Sequence, residues 1–192
     1  MLTESAARWV LLLHTALGVA AVGAVTHLVL WMRGYLRGRF ERHAAVKKFA
    51  WLALALHAGA FLAGNLMYPT YKVEVRAAYL ENAGAIVGER AAHERELAKI
   101  AAREGQTAFE SGATADIVRR SARAARWFDV KEHWVALGLL ASGALVLVLM
   151  FWDPRRDGAA LAPVVLGLAC VIAGTVWLAA IVGVLTAAWR AV

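Results

Sequence analysis

The sequence predicts an all-α integral membrane protein, a four-transmembrane-helix bundle with a helical extramembrane insert between spans two and three. Three observations carry that expectation. The chain is 61% hydrophobic with a mean hydropathy of +0.57, too apolar for a soluble domain of 192 residues. Its apolar residues gather in stretches at about 9–31, 49–68, 133–152 and 160–189, none of which contains Asp, Glu, Lys or Arg. At ~1.5 Å per residue, such helices cross the ~30 Å hydrocarbon core of a bilayer. Finally, the short connectors between them are basic, as cytoplasmic loops are.

Span one reads WVLLLHTALGVAAVGAVTHLVLW, from Trp9 to Trp31. The leader MLTESAAR is not clearly basic, and the apolar run exceeds the ~7–15 residues of a signal peptide core, so the span is expected to stay in the protein. The connector 32–48 holds Arg33, Arg37, Arg39, Arg42, Lys47 and Lys48 against Glu41 alone. It is expected in the cytoplasm, with the N-terminus outside. Span two returns outward to Pro69, which is expected to stop or kink it. The segment 69–132 then lies outside, and its eleven basic and ten acidic residues do not oppose that orientation. Span three comes back in, WDPRRDG turns with Arg155 and Arg156 over 153–158, and span four ends outside. Trp9, Trp31, Trp51, Trp127, Trp134, Trp152 and Trp189 fall near expected interfaces, as an aromatic belt requires, and Trp177 is mid-span. The compartment expected is a bacterial inner membrane, with residues 1–192 forming one membrane domain.

The insert carries two helical stretches. The first, about 83–104, is rich in Ala, Glu, Lys and Arg; the second, about 114–132, can run on into span three. Gly105 and Ser111-Gly112 mark the break between them. Their apolar residues (Ile86, Val87, Leu97, Ile100; Ile117, Val118, Trp127, Phe128) suit packing on each other or over the bundle mouth.

The net charge of +7 does not indicate nucleic acid, because the basic residues mostly flank spans and act as topology signals. Cys170 stands alone, which excludes a disulfide or a cysteine-based zinc site within one chain. No Walker, Rossmann, Ser-His-Asp or metal-hydrolase signature is present.

Chemistry therefore concentrates on histidine. His43 and His93 fall in the connector and the external helix, where solvated surface positions are expected. His14, His27, His57 and His133 fall within or at the ends of spans, where an ionisable side chain costs at least ~2.5 kcal/mol and marks function. Depth groups His14 with His133 in an outer tier and His27 with His57 in an inner one. Two such tiers suit two haems b with bis-histidine ligation between facing helices. His14 and His27 are thirteen residues apart, about 140° around the helix, and so address different neighbours. Gly18 and Gly23 each lie four residues from a histidine on its own face, where a missing side chain lets a macrocycle approach. Gly59, Gly64 and Gly138 offer the same on the partner helices. Arg33, Arg37 and Arg39 at the inner tier, and Arg8, Arg126 and Lys131 at the outer, are candidate partners for propionates. Asn65, Tyr68 and Tyr71 are candidate contacts for a quinone headgroup.

This layout resembles the small four-helix diheme b-type membrane cytochromes: four spans with intramembrane histidines in two tiers. The resemblance is one of architecture and covers the spans, not the 69–132 insert. It implies one-electron transfer through two haems b. Electrons would be exchanged with a quinone or a periplasmic carrier, by a free-standing oxidoreductase or by an electron-transfer subunit of a larger membrane complex. The alternative is a non-redox scaffold or assembly factor with structural histidines, whose insert binds a partner.

Overall fold

The computed structural model describes residues 3–105 and 114–188. Trp189 and the Ser111-Gly112 break lie outside the described residues. All regular structure within them is helical. Helix α1 spans Glu4–Met32 and passes into a 3-10 turn, Arg33–Arg37; α2 spans His43–Thr70. A π-helical stretch, Tyr71–Leu80, leads to α3, Ala83–Glu104. Then come α4, Thr114–Phe151, the short α5, Pro154–Asp157, and α6, Ala162–Ala188. Four helical segments, Ser5–Arg37, His43–Leu80, Asp116–Phe151 and Ala162–Thr186, are long and apolar enough to cross a membrane.

At two boundaries the structure decides between the expected outcomes. Pro69 does not stop the second span. Its missing N–H breaks one rung of the α ladder, and two residues later the chain continues in the wider i→i+5 register of a π-helix. The second insert stretch and span three are one helix of 38 residues, about 57 Å long at 1.5 Å per residue, so α4 projects well beyond a bilayer core. Nothing between Thr114 and Phe151 is a helix breaker: there is no proline, and Gly138 and Gly143 are isolated glycines in an apolar run.

The helices close a four-membered ring. Helix α1 packs on α2 and α6, and α4 packs on α6 and α2, so α1 and α4 face each other across the diagonal. One end of the ring carries the insert; the other carries the connectors 33–42 and 152–161. These are called the insert end and the loop end below.

Local signals set the ends. Asn82 accepts from Ala85 N at 3.0 Å and caps α3, which stops at Gly105 with φ 67, a conformation that suits a residue without a Cβ. Asp153 accepts from Arg155 N at 3.0 Å to start α5. In that turn a hydrogen bond from Arg156 holds the exposed Asp157 carboxyl down to about 2. The insert is tied to the ring by Arg76, which reaches Asp129 at 2.6 Å and Glu81 at 2.9 Å. Of its apolar residues Ile86 is buried, while Val87, Ile100 and Trp127 are exposed.

The loop end is closed by a buried cluster. Tyr35 and Trp152 meet edge to face, with ring centroids 6.2 Å apart, and the Tyr35 hydroxyl lies 2.8 Å from His43 Nδ1. His43 is thus not the surface residue its connector position suggests: it is buried beneath Trp152, with Nε2 buried and unpartnered. Trp152 Nε1 donates to Gly158 O at 3.0 Å, and Arg155 donates to Phe40 O at 2.8 Å, joining the two connectors.

Candidate functional site

His57 stands at the middle of α2 and is 3% exposed. It points at α4, where Gly138 and Ser142 are one turn apart, and Thr175 of α6 completes the tier. Each residue sits near the middle of its own apolar stretch, so the tier lies at mid-bundle. Gly138 makes the tier possible. A Cβ there would overlap Thr175 Oγ1 and stand 2.8 Å from His57 Cε1.

The hydrogen-bond roles follow from who has a proton to give. The Ser142 hydroxyl donates to Gly138 O at 2.8 Å and Thr175 donates to Ile172 O at 2.9 Å. Ser142 Oγ is thereby left to accept at His57 Nδ1, 3.4 Å away, a long contact compatible with a proton on Nδ1. His57 Nε2 is buried and completes no hydrogen bond; with the proton on Nδ1 it carries a lone pair, whereas the Val135 carbonyl near the ring favours a proton on Nε2. The tautomer with the proton on Nδ1 is the one an imidazole uses to ligate a metal through Nε2.

His14 has the same arrangement. Its Nδ1 faces Ala60 O at 2.8 Å, so Nδ1 donates and Nε2 is left with its lone pair. Its ring fits against α2 because position 64 is glycine: a Cβ there would be 3.3 Å from His14 Cε1. Ala60 lies three residues beyond His57, which puts the His14 ring about one turn insert-ward of the tier. His133 also directs Nδ1 at a carbonyl, Asp129 O at 2.8 Å, but its side chain is exposed. His27 is exposed on the outer side of the α1–α2 contact, with Trp31 at 5.9 Å and Phe49 at 6.2 Å between ring centroids.

The expected pairs are not brought together. His57 turns to α4 while His27 faces away from the bundle, and His14 and His133 belong to diagonal helices. The inward position on α4 at the outer level belongs to Lys131. Its ammonium lies over Phe128 at 5.1 Å, 3.4 Å from where a Cβ on Gly183 would be, and within electrostatic range of His14. Gly18 and Gly23 have nothing within 4 Å of a would-be Cβ, while Gly64 and Gly138 accommodate imidazole rings and Gly59 accommodates Leu17. Arg33, Arg37 and Arg126 are exposed. Of the suggested headgroup contacts, Tyr71 stacks on Phe128 at 3.9 Å and more loosely on Tyr68 at 6.5 Å; its hydroxyl is buried and unpartnered. Asn65 is exposed.

Burial changes at one level on every helix of the ring. On α1, Val10, His14, Leu17 and Gly18 are half-buried, and from Ala21 onward Ala24, Val25, Leu28 and Met32 are buried. On α2 the change falls between Ala60 and His57, on α4 between Val135 and Gly138, and on α6 between Ala179 and Val176. On the insert side Ala63 and Val182 are buried, as are Ser121, Ala124 and Ala125 farther out on α4. The close-packed apolar core thus occupies the loop half, while His14 and Lys131 line the insert half and His57 sits at the boundary.

Ser142 and Thr175 are the members that the sequence did not single out; Lys131 was named there as a candidate propionate partner at the outer tier. Ser142 and Thr175 were legible as polar residues at mid-span, but their joint relation to His57 depends on helix rotation. Among the described residues, no group of three or more His, Cys, Asp or Glu side chains could hold a metal ion by itself. A haem, which brings four nitrogens of its own, asks the protein for only one or two imidazoles. No family model, curated protein or solved structure matches the chain.

Proposed function

We propose that the protein is an integral membrane cytochrome of the b type that carries single electrons. The cofactor proposed is one haem in the insert half of the bundle, which His57 would hold as the principal donor and His14 as the second. The observation that supports this reading is His57 Nε2, buried at mid-bundle and without a hydrogen-bond partner, on a ring whose Nδ1 faces Ser142. Such a nitrogen is costly unless something accepts its electron pair. The residues present fit the group: two neutral imidazoles with Nδ1 engaged and Nε2 free, and small residues at 64 and 138 where the rings pass. The haem, when bound, would supply the reversible one-electron change at iron.

The chain's own residues do the rest. Ser142 and Ala60 keep each imidazole from rotating. Lys131 places a positive charge at the mouth, suited to a carboxylate. The apolar loop half keeps the dielectric low below the tier, which disfavours extra charge and so helps set a potential. His27 has aromatic neighbours and no facing histidine, so the reading assigns it no haem. The electron partner proposed is a membrane quinone at the insert end, near Tyr71 and Phe128, or a periplasmic carrier docking on the insert. The basic connectors favour the loop end in the cytoplasm of a bacterial inner membrane.

Purified protein, expressed with adequate haem supply, decides the matter by its dithionite-reduced minus oxidised spectrum. A haem b α band is expected. A colourless protein would leave the scaffold reading standing.

A further inference from the structure

The level at which burial changes separates two chemically different halves of the ring. Toward the loop end the interior is closed by Val25, Leu28, Ala53, Leu145 and Ala169, each 0–2% exposed, with Tyr35, His43 and Trp152 capping it below. No ionisable side chain interrupts the core above that cap. Toward the insert end His14, Leu17, Ala60, Val135 and Ala179 are half-buried, with Ala63 and Val182 buried among them, and Lys131 makes no ion pair among the described residues. A cation at that depth needs a partner or water, and ionisable groups in membrane segments face interiors or water-filled cavities. The unpartnered Tyr71 and Thr70 hydroxyls at the same end make the same demand.

We propose that the insert half is a one-sided vestibule: water and small hydrophilic solutes enter from the insert end as far as the level of His14 and Lys131, just above the buried His57 tier, and are barred from the loop end. This stands on packing and does not depend on the haem reading. It also sets a direction for that reading, since whatever the tier binds or exchanges with water communicates with the insert side.

The test uses the full-length protein in vesicles, with Cys170, the single native cysteine, replaced by serine. Single cysteines are placed at Leu17 and Ala179 in the insert half and at Val25 and Ala169 in the loop half. Glu89→Cys and Arg37→Cys, both at exposed positions, mark the two sides. The probe is a charged, membrane-impermeant methanethiosulfonate applied to either face. L17C and A179C are expected to react from the side that labels E89C and to lose that reaction from the other; V25C and A169C are expected to react from neither. Labelling of L17C or A179C from the R37C side, or from neither side, overturns the proposal. Two positions on different helices guard against one failing to fold. Haem content measured on the same preparations keeps the two readings apart: one-sided labelling of haem-free protein rejects the cytochrome and retains the vestibule.

Discussion

His57 and Gly138 touch across the α2–α4 contact so closely that a single methyl group at 138 would stand 2.8 Å from the imidazole and overlap Thr175. The packed tier at mid-bundle exists because α4 has no side chain at that point. It joins three helices through one ring, two hydroxyls and one missing Cβ.

Gly138→Ala should therefore destabilise the bundle by about 1–3 kcal/mol through overpacking. Gly18→Ala, with nothing within 4 Å of its Cβ, should cost little or stabilise the helix slightly. Thermal denaturation in detergent compares the two. Equal melting temperatures would refute the close packing at 138.

Replacing the histidines separates one haem from two. His57→Leu should abolish the α band, whereas His27→Leu should leave its amplitude unchanged, since His27 lies among Trp31 and Phe49 on an exposed face. A halved band in H27L would restore the two-tier arrangement. Circular dichroism on each variant confirms that the helices persist.

The loop-end cap offers a double-mutant test. Tyr35→Phe leaves the buried His43 Nδ1 without its partner and should cost about 1–3 kcal/mol, because His43 Nε2 is already unpartnered. Replacing His43 by Phe as well removes the orphaned groups, so the double variant should recover part of that loss, provided the larger ring is accommodated. Additive losses by chemical denaturation would show that the Tyr35–His43 bond contributes nothing specific.

Arg76 fastens the insert to the ring through Asp129 and Glu81. These side chains are partly exposed, so Asp129→Asn should lower global stability by at most about 1 kcal/mol. Its effect should be local: faster amide exchange across Tyr71–Leu80 and α3, with α1 and α6 unchanged. Acceleration spread over all helices would contradict that local role.

The sequence by itself determined the four apolar stretches, their lengths and the residues between them, because a bilayer imposes a minimum length and excludes unpaired charge. It also singled out His14 and His57 as ionisable groups in an apolar run. It did not determine the faces those histidines present. A soluble helix betrays its buried side by polar residues opposite; α1 and α6 are apolar all round, since lipid and protein interior ask for the same side chains. Depth along a helix was thus readable and rotation about it was not. That is why His27 and His57 looked like a pair until packing turned one toward α4 and the other away from the bundle. Lys131, two residues before His133, was legible as a cation at the outer tier, but its turn toward the interior and α6 was not. Where two equally apolar surroundings compete for each helix face, only the tertiary contacts decide, and here Gly64 and Gly138 decide by leaving room for an imidazole.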